Sequence, residues 1–330
     1  MRSALVSLSA LVVASLAAAA ASEAAPPRRQ SERQLERQQA FTRPEDLLRW
    51  INGYRTSPKP ERLPDLVKAA SAMGIFRDME TAGVYVGFMA GVIEANPKRA
   101  EALIARMFPI PPEDQVAIVR AIAHSNHPEW RELLAKFSER MPARTVLIDR
   151  FVSGKLPRLD AMALDTGAAP LDMLWGKYFA TGSYDPVLRM VSILEWAKDA
   201  NKVDRLTVGN MAKLTLATNA SRDPTLLKML KASMQFESKE TKVVLGEVIE
   251  AAETFEFGKV RRDAMASIEQ LKTKGPESTR NALWWGQAGQ TALALGCIVA
   301  GARGHVEVGI PCIVGGAVSS AALKYMVPGQ

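Results

Sequence analysis

Apolar residues recur every three or four positions through most of the stretch 44–275, and Pro, Gly or Asn breaks this pattern at short intervals. Such periodicity with Pro and Gly punctuation predicts short amphipathic helices. The stretch 80–94 is apolar on nearly every side, which is typical of a helix at the centre of a core. No stretch alternates convincingly between apolar and polar residues. We therefore predict an all-α fold, an array or irregular bundle of antiparallel helix pairs resembling an α-solenoid.

The stretch 154–170 divides the helical pattern, because it contains Pro157, Gly167 and Pro170. We predict an N-terminal helical half over 44–155 and a C-terminal helical half over 170–275. Residues 25–43 are rich in Arg, Gln and Glu and predict a polar, flexible lead-in. No motif repeats with a strict period, so the pattern indicates no named repeat class.

The first 24 residues have the pattern of a secretory signal peptide. Arg2 precedes an uncharged run of Ala, Leu, Val and Ser, and small residues follow at Ser22 and Ala24. The alternative is an uncleaved membrane anchor, but the run is short and alanine-rich for a lasting span. We predict cleavage after 1–24 and export of the mature chain.

A second apolar region follows near the C-terminus. The runs 281–302 and 308–323 contain no charged residue and are rich in Gly and Ala, which predicts an apolar helical hairpin over 281–327. Trp284, Trp285 and Tyr325 near its ends favour contact with a membrane. Interruption by Pro311 favours the alternative, a helical pair buried in a soluble core. The sequence leaves both interpretations open.

The only two cysteines, Cys297 and Cys312, lie in these two apolar runs. Outside the cytosol two nearby thiols commonly oxidise, so they are a candidate disulfide that would tie the runs together. Two buried free thiols are the alternative. Each cysteine begins a Cys-Ile-Val triplet.

The net charge of +7 comes from basic residues that are interleaved with acidic ones. This distribution is typical of solvated helix faces and argues against a nucleic-acid partner. His124 and His127, with Glu129 nearby, form a weak metal motif that lacks a second ligand pair. Motifs of Ser hydrolases, zinc proteases and phosphate-binding loops are absent from the sequence. We therefore expect neither a metal nor another cofactor.

An aromatic cluster in the second half is a candidate binding groove, with a packed core as the alternative. Its members are Trp175, Tyr178, Phe179, Tyr184 and Trp196. Three nearby carboxylates, Asp172, Asp185 and Glu195, suit an enzyme whose site is assembled from distant acids. Asn219 begins an Asn-Ala-Ser glycosylation pattern, although a turn before Pro224 is the preferred interpretation.

Three segments resemble parts of exported, all-helical bacterial proteins of no established function. These are Gly87-Phe-Met-Ala-Gly-Val-Ile-Glu-Ala-Asn-Pro97, Leu174-Trp-Gly-Lys-Tyr-Phe-Ala-Thr-Gly182 and Gly209-Asn-Met-Ala-Lys-Leu-Thr-Leu-Ala-Thr-Asn-Ala220. The resemblance covers about 44–230 and carries over no catalytic residue. It implies the periplasm or envelope of a Gram-negative bacterium.

The leading hypothesis from sequence is a non-enzymatic, exported helical interaction or scaffold protein. Its partners would be envelope proteins, and 281–327 would provide membrane contact. One alternative is an enzyme with a carboxylate site near the aromatic cluster at 172–196. Another is a membrane-active protein that inserts its C-terminal hairpin into a target bilayer.

Overall fold

The computed structural model describes residues 41–274 and 312–314. Within these ranges it contains α-helices and short 3₁₀ turns and no strand, so the predicted all-α class is confirmed. The solenoid-like arrangement stays a prediction. The signal peptide, the lead-in up to residue 40, and all of the hairpin except 312–314 lie outside the described residues.

The α-helices are α1 Pro44–Gly53, α2 Leu63–Ala72, α3 Gly83–Ala95, α4 Ala100–Met107, α5 Gln115–His124, α6 Trp130–Ser138, α7 Thr145–Val152, α8 Ala169–Thr181, α9 Tyr184–Val191, α10 Val203–Ala220, α11 Pro224–Ser233, α12 Lys239–Thr254 and α13 Gly258–Lys274.

Helices α3 and α8 form the most extensive helix contact of the described chain. They cross so closely that each backbone lies against a glycine of the other. A Cβ atom added to Gly87 would lie 1.9 Å from the carbonyl oxygen of Met173, and one added to Gly176 would lie 2.0 Å from that of Val84. Because both neighbours are backbone atoms, only glycine permits this packing.

Helix α8 is buried almost along its full length, as its sequence suggests. Pro170 lies in the first turn, where its missing N–H costs no helical hydrogen bond. At the other end Gly182 adopts a left-handed conformation, and its N–H donates to the Tyr178 carbonyl at 2.7 Å. Pro170 and Gly182 in the sequence predict a helix over 171–180, whose ends lie within two residues of the observed ones.

Helix α10 is the second long buried helix, and it packs against α12, α13 and a 3₁₀ helix at Leu194–Lys198. Pro186 and the apolar pattern after it predict a single helix over 187–196. This prediction is wrong, because α9 ends at Val191 and the 3₁₀ helix follows. The backbone of Gly209 lies close to this 3₁₀ helix, and a Cβ added there would lie 2.4 Å from the Ala197 nitrogen. Among the described helices, none is long and apolar enough to cross a bilayer.

A groove that holds residues 312–314

The candidate site lies where a short piece of the C-terminal apolar region packs on the helical domain. Cys312, Ile313 and Val314 are each at most 4% exposed, although they belong to no helix. They contact residues of α8 on one side and α10 on the other. The hairpin predicted over 281–327 is thus not helical at these three residues, and its other residues lie outside the described ranges.

Asn219 in the last turn of α10 binds the backbone of Cys312 through both ends of its amide. Its Nδ2 donates to the Cys312 carbonyl oxygen at 2.8 Å, and its Oδ1 accepts from the Cys312 N–H at 2.9 Å. The N–H and C=O of one residue point to the same side when the backbone is extended, as in a β ladder. The Asn219 side chain therefore takes the place of a neighbouring strand.

Asp172 in the first turn of α8 binds the same segment two residues further along. Its Oδ1 accepts a hydrogen bond from the Val314 N–H at 2.7 Å. The Asp172 side chain is fully buried, and its position at a helix N-terminus favours a negative charge.

The Val314 side chain fills an apolar socket between the two helices. The residual space there is about 10 Å³, which is at most the room for one water. The socket residues are Ala168, Leu171, Thr207, Val208 and Met211. Because Cys312 is bound near the C-terminal end of α10 and Val314 near its middle, the segment runs antiparallel to α10.

Two further polar contacts fix the wall of the groove. Trp175 Nε1 on α8 donates to Thr215 Oγ1 on α10 at 3.0 Å. Tyr178 Oη donates to Asp223 Oδ2 at 2.6 Å, and the same carboxylate binds Arg55. Burial and the hydrogen bond to Asp223 raise the pKa of Tyr178 above its ordinary value, so this hydroxyl remains a donor at neutral pH.

The five aromatic residues of the predicted groove occupy different environments. Trp175, Tyr178 and Phe179 are buried and pack against one another, with ring centroids 5.5–5.9 Å apart. Tyr184 is exposed at the start of α9. Trp196 lines an open cleft of about 570 Å³, where the Arg205 guanidinium lies 4.9 Å from its ring centroid.

The three carboxylates considered for an enzyme are also separated by environment. Asp172 is buried beneath residues 312–314, whereas Asp185 is exposed in the first turn of α9. Glu195 lines the cleft beside Trp196, together with the carboxylate of Asp199 and the ammonium groups of Lys198 and Lys239. The residues lining that cleft include neither Asp172 nor Asp185.

The two histidines of the weak metal motif have separate structural surroundings. His124 is buried edge-on against Phe151, and neither ring nitrogen has a hydrogen-bond partner among the described residues. Burial lowers the pKa of His124 to about 3, and nearby cationic side chains such as Arg120 act in the same direction. His127 Nδ1 accepts from the Glu129 N–H at 3.0 Å, while Nε2 lies 3.2 Å from the Pro97 carbonyl oxygen. Within the described ranges no group of three or more metal-ligating side chains occurs.

The structure gives Cys312 a disulfide bond rather than a free thiol. Cys297 is the chain's other cysteine, and it lies outside the described residues. The predicted pairing of Cys297 with Cys312 therefore stays a prediction.

Asn219 is the site residue whose role sequence reasoning missed. The predicted turn before Pro224 is present, because the Asn219 carbonyl oxygen accepts from the N–H groups of Arg222 and Asp223 at 3.1 and 3.0 Å, and α10 itself continues to Ala220. At 7% exposure, and with its amide bound to Cys312, Asn219 is not an accessible glycosylation acceptor in this fold. On α10 Asn219 is one of several buried polar residues, so the sequence does not single it out. Comparison of the chain with protein-family models, curated proteins and solved structures finds no match.

Proposed function

We propose that this chain is a non-enzymatic, exported interaction protein whose helical domain binds an extended apolar polypeptide segment in the groove between α8 and α10. The observation that carries the proposal is the set of three buried hydrogen bonds from Asn219 and Asp172 to the backbone of residues 312–314. Hydrogen bonds to the main chain combined with sockets for apolar side chains are the usual chemistry of extended-peptide recognition.

The surroundings of Asp172 favour binding over catalysis. Its carboxylate already accepts the Val314 N–H, and the adjoining socket retains only about 10 Å³. A general acid or base must come within hydrogen-bond reach of a substrate proton, and this packing leaves no room for a substrate. The same contacts suit a group that holds a polypeptide in place.

In this chain the occupant of the groove is its own C-terminal region. We propose that the groove holds part of 281–327 on the helical domain, so that the two act as one unit in the envelope. The burial of residues 312–314 supports the packed interpretation for that part of the apolar region. Export rests on the pattern at 1–24. Mass spectrometry of the mature N-terminus tests it, and a chain that still begins at Met1 in the cell would contradict cleavage.

Cleavage of the full chain between residues 275 and 281 tests the proposed binding directly. A specific protease site placed there in the full-length protein allows cutting after folding, with circular dichroism as a check on helicity. Both cysteines lie on the C-terminal fragment, so no disulfide links it to the helical domain. We expect the fragment to remain bound through size-exclusion chromatography in mild detergent.

Asn219→Asp is the informative variant, because it removes the Nδ2 donor to Cys312 with almost no change in size. We expect this variant to release the fragment after cleavage. Asn210→Asp is the matched control, since Asn210 is equally buried on α10 but donates to the Ala197 and Leu206 carbonyls inside the domain. Separation of the wild-type fragment, or equal retention in both variants, would contradict the proposal.

A further inference from the structure

We infer that the open cleft beside Trp196 binds a short peptide with free, charged ends. This inference goes beyond the proposed function, because the cleft shares no lining residue with the socket that holds Val314. The volume of the cleft, about 570 Å³, lies within the range of about 300–1,000 Å³ that is typical of small-molecule sites. Its lining comes from the 3₁₀ helix Leu194–Lys198, the start of α10 and the first turns of α12.

The wall formed by the 3₁₀ helix is held against α10 by polar contacts. Asn210 Nδ2 donates to the Ala197 carbonyl oxygen at 3.2 Å. Arg205 Nε donates to Asp165 Oδ2 at 3.1 Å, and its guanidinium carbon lies 4.9 Å from the Trp196 ring centroid. Because these contacts position Trp196 within the folded domain, binding a ligand there needs little further ordering of the protein.

The opposite wall is the start of α12, and it brings a second apolar side chain to the cleft. Ser238 caps this helix, since its Oγ accepts from the Thr241 N–H at 3.1 Å. Val243 lies in the following turn, is 56% exposed and lines the cleft. Trp196 and Val243 therefore offer an apolar surface to a ligand from both walls.

Each wall also carries one acidic and one basic side chain that are exposed. Glu195 and Lys198 lie three residues apart on the 3₁₀ helix, where such residues share a face, and Lys239 and Glu240 begin α12. None of these four side chains forms a hydrogen bond or an ion pair with another residue in the described ranges. A ligand of one sign would meet as many like charges as opposite ones, whereas a ligand with both charges can pair with both.

A short peptide combines the three features that the cleft offers to a ligand. Its ammonium group suits the carboxylates, its carboxylate suits the lysines, and an apolar side chain suits the surface of Trp196 and Val243. Two to four extended residues separate the charged ends by about 7–14 Å, so that one end can reach each wall. A neutral sugar would leave all four charged side chains without a counter-charge.

Isothermal titration calorimetry of the full-length protein with the tripeptide Ala-Leu-Ala tests this inference. We expect a Kd of about 0.1–1 mM for the peptide with free ends. The same peptide with an acetylated N-terminus and an amidated C-terminus should bind about tenfold more weakly, because both charge pairs are lost. Equal binding of the two peptides, or no binding of Ala-Leu-Ala, would overturn the inference.

Variants of exposed residues show whether the peptide occupies this cleft. Lys239→Gln and Glu195→Gln should each raise the Kd about threefold. Lys228→Gln is the matched control, because Lys228 is exposed on α11 and does not line the cleft. Binding should also change the tryptophan fluorescence, and Trp196→Phe should abolish that change. A fluorescence change that persists in Trp196→Phe, or equal effects of the cleft and control substitutions, would contradict binding at this cleft and leave the role of residues 312–314 untouched.

Discussion

The close crossing of α3 and α8 makes a sharp prediction for Gly87→Ala. The added Cβ would lie 1.9 Å from the Met173 carbonyl oxygen and 2.6 Å from that residue's carbonyl carbon and Cα. Real Cβ atoms do not approach other heavy atoms below about 3 Å, and no rotamer change relieves a contact with backbone. The two central helices must therefore move apart.

The magnitude follows from two opposing effects on the free energy of unfolding. Overpacking a well-packed core costs typically 1–3 kcal/mol, and it costs more where backbone must move. Replacing a helical glycine by alanine restores about 1 kcal/mol of helix propensity. Because the clash lies in the most extensive helix contact of the described residues and only backbone movement relieves it, we take the upper end of this cost and expect a net loss of about 2 kcal/mol.

Urea unfolding of the full chain, followed by circular dichroism, measures this loss as a lower midpoint at an unchanged slope. Gly246→Ala is the matched control, because Gly246 lies within α12 and an added Cβ would meet no atom within 4 Å. The same substitution there should stabilise the protein by about 0.5–1 kcal/mol. A Gly87→Ala protein as stable as the wild type, beside a stabilised Gly246→Ala protein, would refute the described packing.

Two further predictions concern buried charges. Between pH 6.5 and about 3, His124 is neutral in the folded protein but takes up a proton in the unfolded chain. The free energy of unfolding should therefore fall with decreasing pH in this range, by up to about 1.4 kcal/mol per pH unit. Urea unfolding across pH should show a shallower fall for His124→Leu, and an unchanged fall would contradict the burial of a neutral ring. Lys213→Met removes a buried cation that binds Glu247 and Asp263 from α12 and α13, and because both carboxylates are partly exposed we expect a loss of about 1–3 kcal/mol. Lys231→Met is the control, because it breaks an exposed ion pair with Glu253, and it should change the free energy of unfolding by less than about 0.5 kcal/mol. Equal effects of the two substitutions would contradict the stabilising role of the buried Lys213 ion pairs.

Much of the helical layout was predictable from local sequence signals. Pro170 in the first turn and Gly182 after the last residue bound α8 within two positions of its predicted ends. The apolar stretch 80–94 identified the central helix α3, observed at Gly83–Ala95. These signals act through neighbouring residues, and so they are visible without the rest of the chain.

The errors lie where a segment contacts a distant part of the chain. The binding role of the Asn219 side chain was missed, because its amide contacts Cys312, 93 positions away in the sequence. The predicted helix over 187–196 changes to a 3₁₀ turn where the backbone of Gly209 approaches. Neither partner can be found from periodicity within one segment.

The candidate site was accessible to sequence reasoning only in part. Asp172 was a candidate carboxylate for an enzyme site, but its partner is the Val314 N–H, 142 positions later. The role of the Asp172 side chain is to accept this backbone N–H, and that role does not involve the nearby aromatic residues. Trp175, Tyr178 and Phe179 pack against one another in the core. This agrees with the packed-core alternative for these three residues.

Hydrogen exchange at the backbone amides of Cys312 and Val314 in the full-length protein tests the central claim most directly. Both amides donate to buried side-chain oxygens, those of Asn219 and Asp172. Each buried hydrogen bond lost on opening costs about 1–3 kcal/mol. We therefore predict exchange at both amides at least about 100-fold slower than for an unstructured chain, and faster exchange in Asn219→Asp than in Asn210→Asp. Exchange of both amides at the unstructured rate in the wild-type protein would contradict the account.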